Sequence, residues 1–198
     1  MAAGRASRFG AAKQLLEWQG LTLLDRACLT ALDARCDPVL RVLGGHASEV
    51  LERPCPERIE TLVHESWQEG MGSSLAAGVS RLAELAPDLD ALFVLLPDQP
   101  LVTTELLGSL AAGLEEGKIS IVLCDHGKTL GPPSLFRRCH FAELVLLRGD
   151  QGAKVLAARF PDAVTTIDFP GGALDIDTPE AWERFTGSRA TTPWPEAR

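Results

Sequence analysis

Three stretches of this 198-residue chain gather side chains that could do chemistry. The first is MAAGRASRFGAAK at the start, where Arg5, Arg8 and Lys13 stand among alanines and glycines and no acidic residue occurs before Glu17. The chain as a whole carries a formal net charge of -8, so this cluster of bases departs from its surroundings. Ala2, Ala3, Gly4 and Gly10 would let the backbone fold tightly and bring N–H groups close to a polyphosphate, while the three bases neutralise its charge. The competing reading is a frayed, alanine-rich terminus. The spacing matches neither G-x-x-x-x-G-K-[ST] nor G-x-G-x-x-G.

The second stretch is LLPDQP, residues 95–100. Asp98 stands between Pro97 and Pro100 directly after an apolar run, a place suited to holding a hard divalent cation such as magnesium. The alternative is an Asp that merely opens a turn or caps the next helix. The third is DIDTP, residues 175–179. Asp175 and Asp177 alternate, so in an extended segment both point to one face, whereas Thr178 before Pro179 reads as a helix cap.

The elements that must position these residues follow from apolar periodicity. Short Val/Ile/Leu runs alternate with segments of helical period, which predicts an α/β sandwich with a largely parallel sheet. PVLRVLGG, IETLVHE, DALFVLL, KISIVLC and AVTTIDF read as strands. ASEVLERP, residues 73–88, TTELLGSLAAGLEEG, HFAELVLL, DQGAKVLAARF and DIDTPEAWERF read as helical. Ser73 or Ser74 is the expected cap of the 73–88 helix, and GPPSLF is expected in a loop. In open α/β sheets ligands bind beyond the carboxyl ends of strands, where Asp98 falls.

Composition removes several classes. A net charge of -8 speaks against a broad basic face for nucleic acid. The longest apolar runs are too short to cross a bilayer and no secretory signal is visible, so the expected location is the cytoplasm. Five scattered cysteines suit reduced thiols. The four histidines and nearby cysteines lack zinc spacing, G-x-S-x-G is absent, and the four tryptophans read as packing residues.

Taken in order, the motifs resemble one family. MAAGRASRFGAAKQLL looks like the glycine-rich signature of the MobA-like nucleotidyltransferases. WQEGMGSSLAAG, LPDQP, GDQGAK and DIDTPE are similar to further motifs of its molybdenum cofactor cytidylyltransferase branch. The similarity runs from Met1 to about Phe185, so residues 1–186 are expected to form one domain and 187–198 a mobile tail.

The resemblance implies a Rossmann-like three-layer α/β sandwich that uses a nucleoside triphosphate and Mg2+ to attach a nucleoside monophosphate to a phosphate of molybdopterin, releasing pyrophosphate. It assigns Ala2, Ala3, Gly4, Arg5 and Gly10 to the triphosphate loop, and Arg8 and Lys13 to its charge. Asp98 goes to the metal, with Asp177 and Asp175 nearby. CTP is favoured over GTP because AAG stands where guanylyltransferases show AGG, and because of DQP with its Gln99. Gly72, Ser73 and Ser74 would receive the second substrate's phosphate or pterin, against a plain glycine turn with a serine cap. Asp150 and Gln151 are assigned to structure or substrate contact.

Family members also carry a buried strand ahead of this AAG, so the resemblance implies a sheet whose first, central strand is absent from this sequence. Either the start lies upstream or neighbouring strands close over the gap. Two other functions stay open: a transferase for another phosphate or sugar-phosphate acceptor, and a non-catalytic protein that binds the molybdenum cofactor and delivers it to a recipient molybdenum enzyme.

Overall fold

The structure is a computed structural model that describes residues 1–4, 12–174, 176 and 178–187. A two-stranded hairpin, β1 (Glu17–Trp18) and β2 (Leu21–Thr22), turns through Gln19 and Gly20, both at positive φ. It leads into α1 (Leu23–Asp33), whose first turn is capped by the Thr22 hydroxyl accepting from the Asp25 amide at 3.0 Å. β3 (Val39–Leu43), α2 (Ala47–Leu51) and β4 (Ile59–Val63) follow, with β3 and β4 paired in parallel from Val39 opposite Ile59 to Leu43 opposite Val63.

The chain continues through α3 (Met71–Leu85), β5 (Ala91–Val94), α4 (Thr104–Ala112), β6 (Ile121–Asp125) and β7 (Leu130–Arg137). It ends with α5 (Phe141–Leu144), α6 (Val155–Arg159), β8 (Val164–Asp168) and α7 (Pro179–Thr186). The larger sheet has the order β5-β7-β6-β8.

The α/β architecture holds, and the sheet is mixed: β8 runs parallel to β6, while β7 is antiparallel to both β5 and β6. The stretch GPPSLF, expected in a loop, is therefore a strand. Its two prolines mask the strand pattern because proline has no N–H for a ladder. Pro132 and Pro133 sit where none is needed: β5 pairing ends at Ser134, and the β6 register shifts between Leu123 and Cys124 as the partner passes from Ser134 to Gly131.

Alternation along the strands places helices on both faces. Ile121 and Leu123 of β6 point into a core with Leu75 and Val79 of α3 and Leu144 of α5, whereas Val122 and Cys124 point into one with Leu107 and Leu110 of α4. Phe136, Ile121 and Leu110 are completely buried, and each such side chain contributes roughly 1.5–3 kcal/mol by leaving water. A third cluster joins α7 to the hairpin through Leu16, Leu23, Ile176 and Trp182, with Trp18 against Phe185.

The expected gap in the sheet is visible as a slot between β3 and β5. At its mouth residues 1–3 bridge the two edges: Ala2 donates to the Val42 carbonyl at 2.8 Å, and the Met1 nitrogen donates to the Leu95 carbonyl at 2.9 Å. Burial holds the Met1 amine below its ordinary pKa, because a charge there has lost its water. Beneath this bridge lies an apolar cavity of about 330 Å³ lined by both edges, by Cys28 and Ala31 of α1, and by Leu75 and Val79 of α3.

Candidate active site

Asp98 is delivered by β5. The strand ends at Val94, and Pro97 and Pro100 stiffen the turn that follows, so the carboxylate is fixed at the strand's carboxyl end. Lys13 reaches it from the short helical turn Lys13–Leu15, with Nζ 2.9 Å from Asp98 Oδ2. The other carboxylate oxygen, Oδ1, is buried and has no hydrogen-bond partner among the described residues. A buried, uncompensated hard oxygen beside a lysine fits a site that receives a cation together with an anion. No three His, Cys, Asp or Glu side chains converge as metal ligands among the described residues, which leaves Asp98 as the donor on which a metal would be built.

Ala2 and Ala3 are buried next to this pair, and Gly4 is exposed. The Ala3 carbonyl accepts from the Gly45 amide at 3.2 Å, an approach that glycine permits: a Cβ at Gly44 would fall 2.4 Å from that same oxygen. Arg5, Arg8 and Gly10 of the expected triphosphate loop lie outside the described residues, as do Asp175 and Asp177. Ile176 between the two aspartates is buried against Trp182, and the Thr178 hydroxyl caps α7 by accepting from the Ala181 amide at 3.2 Å.

The glycine-serine stretch is placed differently. α3 begins at Met71 with Gly70 as its cap, three residues before the expected Ser73. Gly70 holds φ at 105°, and a Cβ there would fall 2.3 Å from the Gly149 carbonyl oxygen. The Gly72 amide donates to that same Gly149 carbonyl at 2.8 Å, and a Cβ on Gly72 would meet the Arg148 backbone. Ser73 and Ser74 are buried; the Ser73 hydroxyl donates to the Gly70 carbonyl at 3.0 Å and lies 3.1 Å from His64 Nε2. In this arrangement Gly70 and Gly72 pack the head of α3 onto the 148–149 turn, while the Ser73 hydroxyl turns toward Gly70 and His64. Asp150 and Gln151 are exposed on that turn, and their neighbours Gly152, Ala153 and the exposed Lys154 line a cavity.

That cavity, about 410 Å³, adjoins Asp98. Its walls are largely apolar, from Met71, Leu75, Leu130 and Ile176, with a few polar groups from Asp98, Gln99, His126 and Lys154. Gln99 donates through Nε2 to the Pro132 carbonyl at 2.7 Å. Sequence reasoning found Asp98, Lys13 and Gln99 but missed His126 and the lining role of Lys154. The only trace of His126 in the sequence is room made for it by Gly131 and Gly172, which contact its ring from distant positions.

A mixed α/β sandwich with a carboxylate beyond β5, facing a lysine, is an arrangement able to take a cation together with an anion at a strand's carboxyl end. Residues 1–164 match the family model described as the MobA-like NTP transferase domain, and the chain belongs to that family. It is 32% identical over 197 residues to the protein named nicotine blue oxidoreductase from Paenarthrobacter nicotinovorans, covering 93% of each chain. It is 25% identical to molybdenum cofactor cytidylyltransferase of Escherichia coli strain K12, covering 93% of this chain and 94% of the relative. Among solved structures it resembles Rv0371c from Mycobacterium tuberculosis H37Rv, with 30% identity, a TM-score of 0.79 and 94% of both chains covered. That mycobacterial protein is also known in complex with manganese, a structure with 28% identity and a TM-score of 0.74 that covers 94% of this chain and 95% of its own.

Proposed function

We propose that this chain is a cytoplasmic, magnesium-dependent nucleotidyltransferase that moves CMP from CTP onto the phosphate of molybdopterin or its metal-bearing form. The single observation that carries the reading is the Lys13–Asp98 pair with its unpartnered Oδ1. The relative named molybdenum cofactor cytidylyltransferase supports the choice of nucleotide and acceptor, and the manganese complex of the mycobacterial relative supports a divalent cation.

In the proposed reaction an acceptor phosphate oxygen attacks the α-phosphorus of CTP in line. A new P–O bond forms, the bond to the β-phosphate bridging oxygen breaks, and pyrophosphate departs with the electron pair. The nucleophile is already ionised, so no general base is required, and catalysis reduces to positioning and charge neutralisation. The reading assigns Lys13 and Arg8 to the charge of the pyrophosphate, the peptide groups of Ala2 to Gly4 and Gly10 to the triphosphate, and Asp98, Asp177 and Asp175 to the cation. Magnesium bound there would supply Lewis-acid polarisation of the phosphoryl oxygens.

Pyrophosphate release measured with each of CTP, GTP, ATP and UTP, with Mg2+ and molybdopterin, tests this directly. CTP with molybdopterin gives the fastest release; no release with any nucleotide removes the transferase reading. A recipient molybdenum enzyme would take up the product.

A second reading is favoured by the relative named nicotine blue oxidoreductase. Here the cavity beside Asp98 takes a dye of that kind, and a hydride donor such as a reduced nicotinamide, supplied as the co-substrate, reduces it while a proton comes from solvent. Loss of nicotinamide absorbance on adding such a dye, with no pyrophosphate formed, selects it.

A further inference from the structure

One wall of the cavity beside Asp98 is organised around a single atom. Gln99 Nε2 donates to the Pro132 carbonyl at 2.7 Å, and His126 Nε2 meets the same carbonyl at 2.9 Å. A carbonyl oxygen has two lone pairs and no proton, so both are filled and both side chains are fixed. Gln99 turns its amide nitrogen to Pro132, and His126 carries its proton on Nε2. Each is left with an acceptor: Gln99 Oε1, which has no partner among the described residues although Gln99 is only 9% exposed, and His126 Nδ1. The imidazole is closely hemmed in. A Cβ at Gly172 would fall 2.2 Å from its ring and one at Gly131 3.1 Å, while Phe169 stands edge-on at 6.0 Å.

We infer that Gln99 and His126, locked by the Pro132 carbonyl, form the recognition pair for a planar heterocycle that donates N–H groups from its edge. A buried amide oxygen without a partner is costly, and a ligand that supplies the missing hydrogen gains what an apolar ring of the same shape does not. The apolar remainder of the cavity suits the faces of such a ring, and Lys154 at the wall suits an attached anion. The inference rests on the transferase reading for what reacts at Asp98; recognition of the ring does not.

The probe is pterin itself, which is fluorescent, donates N–H and carries no phosphate; quinoxaline, of the same ring size with no N–H, is the comparison. Pterin binds the intact protein about tenfold or more tightly than quinoxaline. Gln99→Met and His126→Phe each weaken pterin about tenfold while leaving quinoxaline unchanged. His126→Gln, which keeps a donor for the carbonyl, restores part of the loss. Equal affinity for the two rings, pterin binding indifferent to the substitutions, or no pterin binding overturns the inference, and if His126→Phe does not fold, Gln99→Met alone decides. Pterin discrimination without pyrophosphate release removes the transferase and keeps the pair; the reverse pattern keeps the transferase and removes the pair.

Discussion

Two cavities of similar size among the described residues differ in what lines them. The slot between β3 and β5, about 330 Å³, is largely apolar, with Arg35, Asp37 and Arg41 among its lining residues, and is bounded by strand edges that pair on only one side. The cavity beside Asp98, about 410 Å³, is nearly as apolar but holds Asp98, Gln99, His126 and Lys154. An apolar void on its own weakens packing, whereas a void with a few fixed polar groups selects a ligand. Volume therefore does not separate a defect of the sheet from a site; the unpartnered oxygens of Asp98 and Gln99 do.

The comparison breaks if a residue of one cavity behaves like a residue of the other. The largest expected effect is Asp98→Ala, which lowers the rate of pyrophosphate release by about 10³-fold, close to 4 kcal/mol. Its melting temperature stays near that of the parent. Near-normal turnover would take Asp98 out of the chemistry. Next is Leu92→Ala on the slot side, at a buried position of β5. It costs about 3 kcal/mol in urea unfolding and leaves kcat per folded molecule unchanged.

Filling the slot has the opposite sign. Ala31→Leu keeps a strong helix former in α1 and adds about 1 kcal/mol of stability, read as a rise of a few degrees in melting temperature. A loss of stability would show that the slot has no usable room.

The smallest effect concerns a thiol. Burial pushes Cys28 up to about 11, so brief alkylation at pH 8 marks exposed Cys55 and Cys139 and spares Cys28, as peptide mass mapping would show. Folding raises this pKa, so its contribution to stability is complete below the ordinary value of 9.0 and disappears as pH climbs through about 11. Rapid labelling of Cys28 at pH 8 would mean that the slot is open to water.

Much of the fold was legible because strands such as DALFVLL and KISIVLC are continuous apolar runs, and Thr178 caps a helix where expected. Asp98 was legible for the same reason, since it ends a buried strand. β7 was hidden by Pro132 and Pro133, whose tolerance depends on a register that no local window contains. α1 went unassigned between the opening motif and β3. The cap of α3 was misjudged by three residues because the serine hydroxyls look like caps, whereas the Ser73 hydroxyl is turned back onto Gly70, the observed cap. His126 was invisible as a site residue, because its orientation is set by a carbonyl and two glycines that come together only on folding.

The closure of Gly70 and Gly72 against the Arg148–Gly149 backbone also bears on how this scaffold can change over generations. Neither position has space for a side chain, so drift there is purged whatever the substrate. New acceptor preferences must therefore be acquired at roomier neighbours such as Met71 and Lys154, and lineages that diverge in specificity should keep both glycines while varying the residues around them.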